Sequence, residues 1–217
     1  MLEVFRVPPD LQENLIAFCG RQNCYNLQEL DRFRNDLSEY CGAYLLYYQG
    51  DFSMYNLIKQ ANLNKCCLPI YVGKAAPGGR RTGRTTIGNT LYGRLSEHRK
   101  SIEAVDNLKI EDFAFKVAPM EIDLVSWGEA VLIRHFSPVW NKEISGFGIH
   151  DPGSGRAGQK RSVWDRLHLG RTFATKLPLG NTPIDIDALS VSITQHCQRM
   201  IEELYHFSKV MLELPEK

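Results

Sequence analysis

Two short runs of aromatic and aliphatic residues, each ending at a glycine-containing turn, constrain the fold of this chain most strongly. Residues 42–48 have the sequence GAYLLYY, and residues 68–72 have the sequence LPIYV and stop at Gly73. Runs of this kind between turn residues are typical of β-strands. A third run follows at residues 113–117. The sequence therefore predicts three strands.

Apolar residues with helical spacing occur before, between and after the predicted strands. Helices are predicted at residues 10–20, 26–39, 52–63, 90–105, 124–136 and 187–212. Asn26 with Glu29 resembles a capping box. The helix 124–136 is apolar nearly all round and ends before Pro138, so it should be buried. The order strand, helix, strand, helix, strand, helix predicts a small α+β unit with insertions.

The length and composition of the chain agree with one soluble globular domain of 217 residues. No apolar run approaches the roughly 18 residues that a membrane span needs. The N-terminal sequence MLEVFRVPPD does not have the pattern of a secretory signal, so we expect a cytoplasmic protein. The six cysteines match no CxxC…CxxC zinc framework. We expect most of them to be reduced, and several to be small buried hydrophobic residues.

Basic residues are concentrated in two segments of a chain whose formal net charge is only +1. Residues 74–100 have seven basic side chains and one acidic side chain, and residues 145–180 have six and two. The rest of the chain therefore has a net charge of −9. This distribution favours contact with a polyanion such as nucleic acid, although solvated loops have the same composition.

Several polar residues lie in segments that otherwise resemble a hydrophobic core. Tyr44 and Tyr71 lie in the first two predicted strands, where a tyrosine more often serves in packing. Arg94 and His98 are four residues apart in a predicted helix, so they share one face of it. A solvated helix face would explain that pair equally well.

Glu129 is the sharpest candidate among these polar residues. It lies in the sequence SWGEAVLIRHF, among residues that favour burial. A buried carboxylate needs a cationic partner, a proton or a metal ion. Arg134, five residues later, could be a structural partner. The residues alone therefore leave both a structural and a functional role open.

Six features in order resemble the GIY-YIG nuclease family. The tripeptides GAY at residues 42–44 and YVG at residues 71–73 differ from GIY and YIG only at hydrophobic middle positions. A helix arginine, a histidine four residues later, the helix glutamate and the sequence PVWN, which ends at Asn141, follow in the family's order. The resemblance covers roughly residues 41–142.

The resemblance implies one elaborated nuclease domain over residues 1–217. We expect N-terminal helices over residues 1–40 and a catalytic core over residues 41–142, built on a small antiparallel three-stranded sheet flanked by helices. We expect the basic loop 75–89 to contact DNA. An extension over residues 143–217 should contact DNA as well and end in a helix.

The chemistry implied by the resemblance is metal-dependent phosphodiester hydrolysis. Glu129 would hold a single Mg²⁺ ion, because the motif set has no second acidic residue. Arg94 would bind a non-bridging phosphate oxygen. Tyr44 would accept the proton of the attacking water. Because free tyrosine has a pKa of about 10, His98 would have to accept the phenol proton or be the base itself.

Three further residues complete the implied site. Lys74, directly after the YVG tripeptide, could lower the pKa of Tyr44. Tyr71 would hydrogen-bond the water or the phosphate. Asn141 would fix a loop near the site, which is a structural role. No small-molecule cofactor is expected.

The basic loop 75–89 and the extension after the catalytic core resemble the insertions found in one branch of the family. That branch consists of restriction enzymes that recognise CCGCGG. Arginine commonly recognises guanine in the major groove, although nonspecific phosphate contacts are an alternative role. A palindromic target needs two cuts and the chain has one motif set, so a homodimer on double-stranded DNA is expected. The residues expected to contact DNA are Arg80, Arg81, Arg84, Arg156, Gln159 and Arg161.

Three other functions compete with a restriction enzyme. A homing or repair nuclease of the same family would usually depend on a separate targeting domain or a partner protein. A DNA-binding module without catalysis would not need the glutamate and the tyrosines. An RNA-binding protein would need exposed aromatic residues for stacking.

Overall fold

A computed structural model describes residues 7–76, 90–149, 159–180 and 183–213. Four of the arginines that we expect to contact DNA, namely Arg80, Arg81, Arg84 and Arg156, lie outside these described residues. Within the described part of the chain, no helix is long and apolar enough to span a membrane.

One antiparallel sheet forms the centre of the fold, in the strand order β1-β4-β2-β3. The strands are β1 (Tyr25–Asn26), β2 (Gly42–Tyr48), β3 (Tyr71–Ala75) and β4 (Phe113–Pro119). The predicted α+β architecture is confirmed, and the two-residue strand β1 is an addition to the three predicted strands. Strand β3 begins three residues later than predicted. Pro69 has no N–H group to donate to a strand ladder, which accounts for the later start.

Nine α-helices are present among the described residues: α1 (Pro9–Arg21), α2 (Arg34–Ser38), α3 (Asn56–Asn62), α4 (Leu91–Glu103), α5 (Val125–Phe136), α6 (Val139–Lys142), α7 (Val163–Leu167), α8 (Thr172–Thr175) and α9 (Ile186–Glu213). Helix α5 ends where Ser137 adopts a left-handed conformation just before Pro138. The predicted helix 26–39 is instead a 3₁₀-helix, Leu27–Phe33, followed by α2.

The predicted capping box at Asn26 and Glu29 does not form. The Asn26 side chain accepts a hydrogen bond from the N–H of Gln28 at 2.7 Å, two residues on, as suits the tighter 3₁₀ turn. Glu29 forms a surface ion pair with Arg32 instead of reaching back to the cap.

Both faces of the sheet are covered, which is why every residue of β2 is buried. Tyr44, Leu46 and Tyr48 belong to the larger hydrophobic core, together with residues of α3, α4 and α6. Ala43, Leu45 and Tyr47 belong to the opposite core, with residues of α1 and α5. The alternation follows from the two-residue period of a strand. It places the side chain of Tyr44 on the same face as α4.

The terminal helices pack against the core. Helix α1 contacts α5 and β4, and α9 contacts α3. Part of the surface of these helices therefore covers the core. Four of the six cysteines are free, as expected for most of them, and Cys24 and Cys66 form a disulfide. Cys19 and Cys197 are free and buried, as expected of small hydrophobic residues.

A buried histidine connects the C-terminal extension to the core. His168 follows α7 and is fully buried. Its Nε2 lies 2.7 Å from the Tyr55 hydroxyl and its Nδ1 lies 2.9 Å from Asn107 Oδ1. Burial and, secondarily, the positive charge of Arg171 lower the pKa of His168 to about 3. The extension is therefore attached through an imidazole that is neutral in the folded state.

The buried neutral state of His168 predicts that folding stability falls in weak acid. The unfolded chain binds a proton at this histidine below a pKa of about 6.5, whereas the folded chain does not until about pH 3. Stability should therefore decrease as the pH falls from 6.5 towards 3, by about 2 kcal/mol at pH 5. Urea unfolding at pH 7 and pH 5 measures the difference, and the variant His168→Phe should reduce it. His206→Gln, at an exposed histidine, should leave the difference unchanged. Equal pH dependence in His168→Phe and the wild type would contradict the prediction.

Candidate active site

Five of the residues singled out from the sequence line one open cavity of about 260 Å³. They come from four elements, since Tyr44 lies in β2, Tyr71 and Lys74 in β3, Arg94 in α4 and Glu129 in α5. Strand β3 is at the edge of the sheet. Side chains three residues apart leave a strand on opposite faces, so an edge strand is where groups from both faces can line one cavity.

A glycine allows the closest approach in this cavity. Gly73 pairs with Tyr44 across β2 and β3. A Cβ atom at Gly73 would lie 2.4 Å from the Tyr44 hydroxyl, closer than any side chain could tolerate. The glycine of the YVG tripeptide therefore makes room for the phenol of the GAY tripeptide.

The Tyr44 hydroxyl is hydrogen-bonded to an imidazole. Its distance from His98 Nε2 is 2.6 Å, and both side chains are fully buried. The alternative of a solvated helix face is therefore wrong for His98. Burial raises the pKa of Tyr44 well above its ordinary value, and repulsion from Tyr71 acts in the same direction. The phenol consequently favours its protonated form, and His98 is the base within reach of its proton.

Arg94 is the cation that acts on the two tyrosines. Burial raises the pKa of Tyr71 to about 12, and the charge of Arg94 opposes that rise. Arg94 likewise lowers the pKa of Tyr44 against the larger effect of burial. Its guanidinium also forms an ion pair with Glu97 at 2.6 Å. Arg94 therefore places a positive charge beside Tyr44 and Tyr71, which line the same cavity.

Lys74 forms an ion pair with Glu129 at the cavity. Its Nζ lies 2.7 Å from Glu129 Oε2, whereas the charge of Arg94 lowers the pKa of Tyr44. Lys74 projects towards α5 because its register partner is Ala43, on the opposite face of the sheet from Tyr44. Arg134, which could have been the partner of Glu129, is exposed to solvent.

Glu129 is less buried than the surrounding sequence predicts. Its side chain is 22% exposed, because α5 turns this position towards the cavity instead of the core. A carboxylate in an open polar cavity suits Mg²⁺, which prefers oxygen ligands and usually keeps several waters. The described residues contain no group of three or more acidic, histidine or cysteine side chains that could hold a metal ion. Among the residues lining the cavity, Glu129 is the acidic one.

Asn141 acts on the edge strand and not on the cavity. Its Oδ1 accepts a hydrogen bond from the Val72 N–H at 2.8 Å, and its Nδ2 donates to the Val72 carbonyl at 2.9 Å. The amide thus replaces a neighbouring strand at the outer edge of β3. It holds the strand between Tyr71 and Gly73 in place.

Phe147 and Gly148 also shape the site, although the sequence analysis placed them only in the extension 143–217 and gave them no role of their own. The Phe147 ring stacks on His98 at 4.5 Å between centroids. A Cβ atom at Gly148 would lie 2.4 Å from the Tyr71 hydroxyl. A large apolar residue between two glycines, in the sequence GFG, was the signal available.

Two residues of the extension that were expected to contact DNA are described. Gln159 is partly exposed. Arg161 donates from Nε to the Ala174 carbonyl and from Nη2 to the Thr175 carbonyl, so part of its guanidinium binds the protein itself. The basic segment 145–180 is also less exposed than its composition indicates, because Arg171 is buried in an ion pair with Asp165.

Comparison with known proteins identifies the same region. The family model described as the Eco29kI GIY-YIG domain matches residues 36–197. This match covers all six residues that line the cavity, His98, Asn141 and most of the extension. No curated protein matches the chain.

Proposed function

The chain belongs to the Eco29kI GIY-YIG family of restriction-type DNA endonucleases, and from this premise we propose the following activity. The protein is a type II restriction endonuclease that cleaves double-stranded DNA at a short GC-rich palindrome, CCGCGG, with one Mg²⁺ ion in each active site. The observation that supports endonuclease activity most directly is the cavity lined by Glu129, Arg94 and Tyr44, with the Tyr44 hydroxyl hydrogen-bonded to the buried His98.

Water activation is assigned to Tyr44 and His98 acting as a relay. The deprotonated form of Tyr44 is disfavoured before the reaction, because burial raises the pKa of its hydroxyl. The phenol can nevertheless take a proton from water while its own proton passes to His98 Nε2, 2.6 Å away. His98 is fully buried and does not line the cavity, so it would act on the water through Tyr44.

Charge stabilisation is assigned to the cationic and acidic walls of the cavity. Glu129 would hold the Mg²⁺ ion, which supplies Lewis acidity at the phosphate oxygens when bound. Arg94 would bind a non-bridging phosphate oxygen and Tyr71 would orient the water or the phosphate. Lys74 balances the charge of Glu129 in the structure as it stands, with its Nζ at 2.7 Å from the carboxylate. Asn141 would keep β3 in register beneath these groups.

DNA contact is assigned to the loop 75–89, within the sequence of the catalytic core, and to the extension 143–217. The proposed contacts are Arg80, Arg81, Arg84, Arg156, Gln159 and Arg161. The positive charge of both segments supports them. We also propose a homodimer, because the chain has one set of the motif residues and a palindrome requires two cuts.

Cleavage of a plasmid with a small number of CCGCGG sites tests the proposal. Discrete fragments that end at these sites are expected with Mg²⁺, and none with EDTA. A matched plasmid in which every site differs by one base pair should remain uncut. Discrete fragments that map elsewhere would retain the endonuclease and reject the target. A folded protein that binds this DNA but never cuts it would contradict the catalytic proposal and favour a DNA-binding module.

A further inference from the structure

The segment Gly146–Ile149 forms the back wall of the proposed relay. Phe147 is fully buried, and its ring is nearly parallel to the imidazole of His98, at 20° and 4.5 Å. The same ring meets Tyr71 edge-on at 4.9 Å. One side chain outside the GIY-YIG motif residues therefore contacts both the imidazole and a cavity tyrosine.

The backbone of this segment is held by one buried arginine. Arg171, 3% exposed, donates from Nη1 to the carbonyls of Phe147 at 3.0 Å and Ile149 at 2.9 Å, and from Nη2 to Gly146 at 3.0 Å. Its Nε donates to Asp165 at 2.7 Å. A planar guanidinium can hold three carbonyls and a carboxylate at once, whereas an ammonium group cannot.

The burial and charge of this arginine fit a fixed support. Asp165 is also 3% exposed, so the pair is neutral overall within the core. The guanidinium lies over the Trp164 ring at 4.5 Å, and Trp164 itself packs against Phe147 at 5.1 Å. Arg171 thus holds the backbone of the segment Gly146–Ile149, and Trp164 packs against the Phe147 ring.

We propose that Phe147 is a positioning residue for His98 and that Arg171 sets its position, so that the C-terminal extension takes part in the chemistry of cleavage. This proposal rests on the proposed nuclease function. Stacking covers one face of the imidazole and prevents it from turning about its side-chain bond. Nε2 then stays aimed at the Tyr44 hydroxyl, as the distance of 2.6 Å requires.

The substitution Phe147→Leu tests the proposal, with Phe113→Leu as its matched control. Both phenylalanines are fully buried in the same core and both variants lose an aromatic ring, but Phe113 packs against Tyr48 and Trp140 instead of His98. Single-turnover cleavage by Phe147→Leu should slow at least tenfold, while its Kd for target DNA stays within about twofold. Phe113→Leu should cleave within about threefold of the wild-type rate. The variant Arg171→Lys keeps the positive charge but loses the planar guanidinium. It should show the same slower cleavage and nearly unchanged Kd as Phe147→Leu.

Histidine-ring NMR gives a second readout that does not depend on cleavage. In Phe147→Leu the ring signals of His98 should shift and broaden as the imidazole gains freedom, and in Phe113→Leu they should not. Equal slowing in both variants, or a His98 spectrum unchanged by Phe147→Leu, would overturn the proposal. If the wild type cut no DNA, the proposed function would fail, and the NMR comparison would still decide whether Phe147 positions His98.

Discussion

The variant Glu129→Gln is expected to cleave target DNA about 1,000-fold more slowly than the wild type, or not measurably. Among the residues that line the cavity, Glu129 is the acidic group, so its amide would leave the proposed Mg²⁺ ion without a charged protein ligand. Losing this stabilisation corresponds to about 4 kcal/mol at the transition state. Single-turnover cleavage over a series of Mg²⁺ concentrations measures the effect, and raising the Mg²⁺ concentration should restore only part of the rate.

The matched control for this change is Glu143→Gln. Glu143 is 24% exposed and is 3.3 Å from His196, so it resembles Glu129 in exposure and in having a nearby cationic or titratable partner. It is not among the residues that line the cavity. This control should cleave at nearly the wild-type rate. A folded Glu129→Gln that cleaves within tenfold of the wild type would exclude Glu129 as the essential metal ligand.

The variant Tyr44→Phe is expected to lose a factor of about 100 to 10,000 in the cleavage rate, the usual range for general acid–base catalysis. The substitution keeps the buried ring but removes the hydroxyl that lies 2.6 Å from His98 Nε2. It should also reduce the free energy of unfolding by about 1–3 kcal/mol, because a buried hydrogen bond is lost. Single-turnover kinetics and urea unfolding measure these two effects separately.

Tyr47→Phe is the control for this prediction. Tyr47 lies in the same strand and is as deeply buried, but its side chain belongs to the core on the other face of the sheet. It should change the cleavage rate by less than about threefold. The variant His98→Gln distinguishes the two candidate bases. If Tyr44→Phe cleaves normally while His98→Gln does not, His98 would be the base itself and the relay would be wrong.

The sequence allowed the α+β class and most of the core elements to be predicted. Strand β2 was predicted with its observed limits, because a buried run between glycines leaves little choice of register or length. Helix α5 was predicted to within one residue, since Pro138 ends it and its apolar residues must be covered. The short strand β1 could not be predicted, because two residues have no periodicity and their pairing with β4 depends on distant residues.

Five of the residues that line the cavity could be singled out from the sequence, but their contacts could not, and neither could Phe147 and Gly148. Tyr44, Arg94, His98 and Glu129 were identified from motif order, which depends only on the sequence. The partners of these residues depend on packing between elements. From the sequence, Arg134 could have been the ion-pair partner of Glu129. In the structure Arg134 is exposed to solvent, and Lys74 of the edge strand β3 forms the ion pair with Glu129.

Residue identity and spacing by themselves determined the strand and helix pattern, the GAY and YVG glycines and tyrosines, and the excess of positive charge in two segments. Only the tertiary structure decided that His98 is buried behind Tyr44, that Phe147 stacks on it and that Arg171 points inwards. The physical reason is that strand and helix periods are local properties of the chain. Burial and hydrogen-bond partners instead depend on contacts between residues that are far apart in sequence, such as His98, Phe147 and Arg171. These residues meet only after folding.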